Sequence, residues 1–100
     1  MRNILPSNDF KEGIRQISIY IRDYFGQQYV KTFIENTESS MRTIAIFPET
    51  GKPADGNIYA KHVDKKNWVY YRFNENEINF LFIHDSRRRF DKSKLKKSKL

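Results

Sequence analysis

The spacing of apolar residues divides the chain into a helical first half and a strand-rich second half. Apolar positions recur every three or four residues over Phe10–Tyr24 and again over Val30–Ile44, which is the period of one helical face. Ser7 offers a capping hydroxyl before the first of these segments, Gly26 follows it, and Pro48 follows the second. The pattern predicts two amphipathic helices joined by a short hinge, an antiparallel αα-hairpin.

In the second half the apolar period falls to two. The segments "NIYAKHV" (57–63), "NWVYYRF" (67–73) and "EINFLFIH" (77–84) are rich in β-branched and aromatic residues, and short polar connections separate them. This arrangement predicts an antiparallel meander. The preceding segment "FPETGKPADG" (47–56) holds two prolines and two glycines, which predicts a loop.

A further short strand is expected near the N-terminus, where the apolar run "RNIL" (2–5) is closed by Pro6. The predicted fold class is therefore α+β: an N-terminal αα-hairpin packed on one face of a small, mainly antiparallel sheet of three to four strands. Side chains of a strand alternate between its two faces. In the last strand Ile78, Phe80, Phe82 and His84 therefore share one face, and Asn79, Leu81 and Ile83 share the other. Because both sets are largely apolar, we expect this strand to be central. The helices can cover one face, and the chain's own tail or a second protein should cover part of the other.

Length and composition restrict the class of protein. The chain of 100 residues fits one domain, which we place at residues 1–91, followed by a basic tail at 92–100. The sequence has no cysteine, which excludes disulfides and thiolate metal sites. No segment has the length or apolar character of a signal peptide or a membrane span, so we expect a cytoplasmic protein with no membrane contact.

The net charge of +7 lies at the C-terminus. Residues 1–86 carry eleven basic and eleven acidic side chains, whereas "RRRFDKSKLKKSKL" (87–100) carries eight basic side chains and one acidic one. Such a field attracts phosphate backbones, acidic protein segments or anionic membranes, and the charge count does not separate them. For residues 92–100 the simplest expectation is a solvated, frayed tail.

Two side chains of the strands are candidates for chemistry. Arg72 shares a predicted face with Trp68 and Tyr70, where a guanidinium needs an anion or a route to the sheet edge. An ion pair with Glu75 or Glu77 would be the commoner explanation, and a phosphate site the rarer one. His84 stands where the last strand runs out of apolar residues.

The predicted sheet should bring these groups together with further basic residues at one exposed rim, namely Arg72, His84, Arg87, Arg88, Lys61 and His62. RNA cleavage needs a base for the 2′-hydroxyl, cations for the charge on the phosphate and an acid for the leaving oxygen. Histidine with arginine and lysine meets those needs without a metal or cofactor. The same groups could equally grip a phosphate backbone or an acidic peptide.

The order of these segments resembles that of the RelE/ParE superfamily of toxins from bacterial type II toxin–antitoxin systems. The resemblance covers nearly all of residues 2–91: a helical hairpin leading into "FPETGKP", a strand with "WVYYRF", and a last strand with "EINFLFIHDSRR". It implies a toxin that a cognate antitoxin holds inactive by wrapping it with an acidic, amphipathic C-terminal segment. RelE-like members cut messenger RNA in the ribosomal A site, whereas ParE-like members poison DNA gyrase by binding it.

Carried over by position, the resemblance matches Arg72 to the family's strand arginine and matches His84, Arg87 and Arg88 to its final-strand cluster. In a ribonuclease the catalytic groups would be Arg72, His84 and Arg87. Binding of the target or the antitoxin is expected of a larger set: Lys61, His62, Trp68, Tyr70, Arg72, Arg87, Arg88 and Arg89.

The sequence departs from the nuclease pattern because no tyrosine follows Tyr71, and Phe90 stands near the place of a catalytic hydroxyl. The ending is more like that of ParE, so gyrase poisoning is favoured and ribosome-dependent cleavage of messenger RNA is the alternative. A third hypothesis is a non-toxic, basic nucleic-acid-binding module that stacks bases on Trp68, Tyr70 and Tyr71.

Overall fold

The computed structural model describes residues 1–88 and 93–98 as a helical hairpin packed on one face of a five-stranded sheet. The elements in chain order are β1 (Asn3–Pro6), α1 (Asn8–Tyr24), α2 (Gln27–Ile46), a 3₁₀ turn (Pro48–Thr50), β2 (Lys52–Asp55), β3 (Ile58–His62), β4 (Asn67–Phe73), β5 (Glu77–Asp85) and α3 (Ser93–Ser98). The strand order is β1-β5-β4-β3-β2, with β1 parallel to β5 and the other pairs antiparallel. The α+β class, the hairpin and the central place of the last strand are confirmed.

The helices begin and end where the sequence predicts. Ser7 Oγ accepts the N–H of Phe10 at 3.0 Å and donates its own proton to the carbonyl of Leu81 at 2.7 Å. One hydroxyl therefore caps α1 and fixes its start against β5. At the hinge, Gly26 takes a φ of 117°, a conformation that a side chain would strain.

The hydrophobic core lies between the hairpin and the inner face of the sheet, which is the face turned toward α1 and α2. Phe10 of α1 packs on Phe80 of β5 with ring centroids 5.3 Å apart. Burying each such side chain contributes about 1.5–3 kcal/mol. The buried cluster comprises Phe10, Ile17, Ile21, Phe33, Ile44, Ala45, Val69, Tyr71, Ile78, Phe80 and Ile83.

The sheet is larger than predicted, and its edges differ from the prediction. The segment expected to be a loop contains β2, and the N-terminal edge strand β1 is the one parallel member of an otherwise antiparallel sheet. Pro6 is the last residue of β1, where the strand was predicted to close, and Pro53 lies inside β2. Both strands are edges of the sheet, where a missing N–H donor can be tolerated.

A β-bulge changes which residues of β5 face the core. Tyr70 pairs with Phe82 and Tyr71 with Phe80, so Leu81 is the extra residue of β5. The alternation is shifted beyond that point: Ile83 joins the core cluster, and Phe82 does not. The prediction of one shared face for Ile78, Phe80, Phe82 and His84 is wrong in its second half, since Phe82 and His84 lie on the outer face, away from the hairpin.

Candidate functional site

The outer face of the sheet carries aligned aromatic and polar side chains. The register places them in three rows: His62, Trp68 and His84; Ala60, Tyr70 and Phe82; Arg72 and Asn79. The rings of Tyr70 and Phe82 stack with centroids 4.4 Å apart and an interplanar angle of 15°. The rings of His62 and Trp68 lie 3.5 Å apart between centroids. The outer face is therefore an aromatic surface that three strands, β3, β4 and β5, hold in place.

Helix α3 covers part of this surface. Leu95 lies with Ala60, Trp68 and Tyr70 around a cavity of about 290 Å³ that β2 also lines. The ammonium of Lys94 lies 5.7 Å from the centroid of the Phe82 ring, a cation–π contact. The expectation of a wholly solvated tail is wrong for this helix. The chain's own tail covers part of the sheet face that the hairpin leaves open, as one of the two predicted alternatives.

The surroundings of His84 favour its neutral form. Burial lowers the pKa of its imidazole, and the positive charges of Lys94 and Arg88 lower it further, against the opposing effects of the Asp85 charge and a hydrogen bond with the backbone of Arg88. Burial likewise raises the pKa of the Tyr70 hydroxyl. A neutral imidazole beside Trp68 can accept or donate one hydrogen bond to a ligand on the outer face.

Arg72 shares the outer face with His84 but not its neighbourhood. Its partner across the sheet is Asn79, whereas His84 is opposite Trp68. Four residues of β4 separate the two rows, about 13 Å at a rise of about 3.3 Å per residue. Two side chains that act on one phosphate must both reach it within hydrogen-bond distance. The predicted convergence of Arg72 and His84 is therefore not found.

Arg87 and Arg88 lie toward the helical side of the sheet. The carboxylate of Asp85, 4% exposed, accepts hydrogen bonds from Arg87 Nη2 at 2.7 Å and Nε at 2.9 Å, and from the Arg87 backbone N–H at 2.9 Å. The guanidinium carbons of Arg87 and Arg88 lie 5.0 and 5.8 Å from the centroid of the Tyr20 ring in α1. Burial alone would raise the pKa of Asp85, but the hydrogen bonds from Arg87 outweigh burial and lower it.

Lys61 also lies on the inner face. It pairs across the sheet with Val69 of the core, and its ammonium donates to Thr50 Oγ1 at 2.8 Å. The structure thus groups five of the predicted site residues on the outer face: His62, Trp68, Tyr70, Arg72 and His84. It places Lys61, Arg87 and Arg88 elsewhere, and Arg89 lies outside the described residues.

Sequence reasoning missed three residues that shape these surfaces. Regular alternation places Phe82 on the same face as Ile78 and Phe80, because nothing in the local pattern signals the bulge. Tyr20 was not singled out, although aromatic residues at positions 20 and 24 mark one side of α1. Asp85 carried the clearest signal, since a lone acid two residues before Arg87 predicts a local ion pair.

The described part of the chain contains neither a metal site nor a membrane-spanning helix. Within residues 1–88 and 93–98, no three His, Cys, Asp or Glu side chains are grouped so that they could hold a metal ion. No helix of the described ranges has both the length and the apolar character needed to cross a bilayer.

Comparison with known proteins identifies the fold. No protein-family model and no curated protein matches the sequence. A chain of the chromosomal ParDE TA (toxin–antitoxin) system from P. aeruginosa superposes with a TM-score of 0.75 at 11% identity, covering 85% of this chain and 96% of that one. YafQ from E. coli gives a TM-score of 0.62 at 13% identity, covering 87% of this chain and 96% of that chain.

A third solved structure, the E. coli DinJ–YafQ complex, gives a TM-score of 0.58 at 12% identity and covers 91% of this chain and 100% of that one. The chain therefore has the fold of these proteins over most of its length. The resemblance to the RelE/ParE superfamily that the sequence suggested is confirmed at the level of the fold.

Proposed function

We propose that this protein is the toxin of a type II toxin–antitoxin system and that it acts by binding its target. The observation that carries the proposal is the fold shared with chains of the ParDE system and the DinJ–YafQ complex, nearly the whole of which this chain covers. The second of these is a complex, which supports a protein partner for this chain as well. A fold alone admits many functions, so the target has to be argued from the site.

The placement of the candidate catalytic groups favours binding over RNA cleavage. Arg72 and His84 lie at opposite ends of the outer face, and Arg87 is turned toward α1 with its charge paired to Asp85. An acid, a base and a charge-stabilising cation for one phosphate would have to meet within about 3 Å of the reacting atoms. The separation of these groups, together with the ParE-like ending of the sequence, supports DNA gyrase as the target.

The outer face is the surface we assign to the antitoxin. Its aromatic rings offer a place for apolar side chains of an amphipathic segment, and the exposed Lys94 and Lys96 offer partners for acidic ones. Because Leu95 already lies on this face, the antitoxin segment would take the place of α3.

The proposal is tested by induced expression in a susceptible bacterium that carries reporters of translation and of DNA damage. We expect growth to stop, the DNA-damage reporter to respond first, and co-expression of the acidic antitoxin to restore growth. The purified protein should trap gyrase on cut DNA, and Arg72→Ala should weaken this trapping. Arg42→Ala, which removes an exposed arginine from α2, is the matched control and should have no effect.

Other outcomes would redirect or end the proposal. Normal growth at high levels of folded protein would contradict a toxin and favour the non-toxic nucleic-acid-binding module. A fall in translation before any DNA damage would favour the RelE-like ribonuclease. The neutral imidazole of His84 beside an aromatic surface is the observation that supports that second candidate. In that case His84→Ala should abolish cleavage of ribosome-bound messenger RNA while the protein stays folded.

A further inference from the structure

A second concave surface lies on the helical side, at the hinge between α1 and α2. This hinge groove has a volume of about 340 Å³, and its lining includes Phe25, Tyr29, Lys66, Asn67 and Arg87. Phe25 and Tyr29, which both line the groove, are 50% and 54% exposed, which is unusual for large aromatic rings. The groove is therefore open, aromatic and separate from the outer face.

Within this lining, Asn67 has an acceptor atom without a hydrogen-bond partner. The residue is 2% exposed, and its Nδ2 donates to both carboxylate oxygens of Asp64, each at 3.1 Å. Because a carboxylate only accepts, these bonds fix which end of the amide is the oxygen. Oδ1 of Asn67 is buried and makes no hydrogen bond to any residue that the structure describes. A buried acceptor of this kind calls for an N–H or O–H donor, and a donor in the groove reaches it once the side chains around Asn67 move apart.

Lys66 supplies an exposed positive charge in the lining of the hinge groove. Its ammonium lies 5.6 Å from the centroid of the Phe25 ring, and the carboxylate of Asp64, also in the lining, is engaged by the side chain of Asn67. Arg87, also in the lining, has its charge balanced by Asp85. The rim can therefore hold an anionic group next to the aromatic rings.

We propose that the hinge groove binds a nucleotide, either free or as one unit of a single strand. One nucleotide meets all three features: its base has a flat face for Phe25 and Tyr29, its edge carries an N–H donor for Asn67, and its phosphate suits Lys66. An acidic peptide would need three separate side chains to do the same. The groove does not overlap the outer face, so this inference goes beyond the proposed function and does not depend on it.

The first test is a titration of the full ¹⁵N-labelled protein with adenosine 5′-monophosphate, followed in ¹H–¹⁵N spectra. We expect shifts in the backbone amides of Phe25 and Tyr29 and in the side-chain amide of Asn67. The monophosphate of purine riboside lacks the exocyclic amino group, the only N–H donor of adenine, and should bind several-fold more weakly. Inorganic phosphate alone should perturb Lys66 and leave Asn67 unchanged.

Matched variants locate the site without disturbing the core. Phe25→Ala should weaken binding about tenfold through lost stacking, whereas Tyr24→Ala, at an aromatic side chain outside the groove, should not. Lys66→Gln should weaken binding and reduce its salt dependence, whereas Lys65→Gln, next to it in sequence, should change neither. Equal effects of each variant and its control would overturn the assignment of the groove.

A short single-stranded oligoadenylate separates the two possible sources of the nucleotide. Tighter binding than the monophosphate, with the same shifts, assigns the groove to a strand, and equal binding assigns it to a free nucleotide. No shifts with either ligand at millimolar concentration would overturn the proposal, and so would shifts caused only by a glutamate-rich peptide. Since toxicity is measured by growth, failure here leaves the proposed function untouched, and failure of that function leaves this binding measurable.

Discussion

At the scale of single residues, Asp85 determines where the arginines after β5 lie. Its carboxylate faces the inner side because the bulge has shifted the alternation of β5. It then binds the guanidinium of Arg87 through two nitrogen atoms and also accepts the Arg87 backbone N–H. A buried carboxylate needs such partners, so the cationic end of the strand is drawn toward Tyr20 and away from the outer face.

Replacing Asp85 should therefore destabilise the fold. We expect Asp85→Asn to lower the free energy of unfolding at pH 7 by about 2 kcal/mol, because hydrogen bonds to a buried charged group contribute roughly 1.5–3 kcal/mol. Urea denaturation of both proteins measures the difference. Asp23→Asn, which removes the exposed partner of Arg22, is the control and should cost much less.

The same variant has a defined pH dependence. The pKa of Asp85 is lower in the folded protein than its ordinary value. Its contribution is therefore complete above the ordinary pKa of about 3.9 and is lost as the pH falls through the folded pKa. The stability difference between wild type and Asp85→Asn should shrink below pH 4. A difference that is constant down to pH 2 would show that the carboxylate charge does not matter.

The contribution of His84 to stability has the same sign of pH dependence as that of Asp85, in a higher pH range. Burial lowers the folded pKa of His84, so the unfolded chain binds more protons and stability falls as the pH drops through the ordinary value of about 6.5 toward the folded pKa. An NMR titration of the imidazole should show a midpoint below 6.5, and Lys94→Gln should raise it by removing a nearby positive charge. A midpoint above 6.5, or one insensitive to Lys94, would contradict the placement of α3.

At the scale of elements, β2 depends on a close contact that only glycine permits. A Cβ at Gly51 would lie 2.0 Å from the hydroxyl oxygen of Tyr71, which itself donates to the carbonyl of Pro48 at 2.6 Å. Burial raises the pKa of this hydroxyl to about 12, so at neutral pH it is protonated and able to donate. The start of β2 is therefore fitted to a side chain of β4.

Gly51→Ala should destabilise the protein by about 3 kcal/mol, the sum of overpacking and the lost hydrogen bond. Tyr71→Phe alone should cost about 1 kcal/mol. The double variant should lose less than the two single losses together, because part of the clash disappears with the hydroxyl. Chemical denaturation of all four proteins measures this coupling, and strict additivity would rule out the contact as the cause.

The elements also show how far sequence reasoning reaches. The helices were predictable because Ser7, Gly26 and the apolar period are local signals. Strand β2 was not predictable, since a segment with proline and glycine indicates a loop unless it is already known to lie at the edge of the sheet. The bulge at Leu81 was not predictable either, because a one-residue shift depends on how Tyr70 and Tyr71 pair across the sheet. That single shift puts His84 on the outer face and Asp85 on the inner side, and the ion pair with Asp85 then holds Arg87 near Tyr20 and away from His84.

At the scale of the whole molecule, the sheet separates two surfaces of different chemistry. The outer face is a stack of rings under a lysine-bearing helix, and the hinge groove on the other side combines exposed rings with cations. The C-terminal charge is thereby divided: Arg87 and Arg88 belong to the helical side, and Lys94 belongs to the outer face. Any partner of the outer face must first compete with the chain's own tail.

The state of that tail can be read from the only tryptophan, Trp68, which lines the same cavity as Leu95. Leu95→Asp should release α3 from the outer face, because a carboxylate is costly to bury against rings. We expect the Trp68 emission to move to longer wavelength and acrylamide quenching to rise. Circular dichroism and the urea midpoint should change little, since the core lies on the inner face.

Lys96→Asp places the same negative charge on an exposed position of α3 and is the control for charge alone. It should leave the emission of Trp68 unchanged. If Leu95→Asp also leaves the emission unchanged, α3 does not cover Trp68 and the outer face is already free. If the emission changes as expected, the variant should also bind the proposed antitoxin more tightly than wild type does. In wild type only the molecules with α3 detached can bind, which lowers the apparent affinity, whereas the variant has α3 detached throughout.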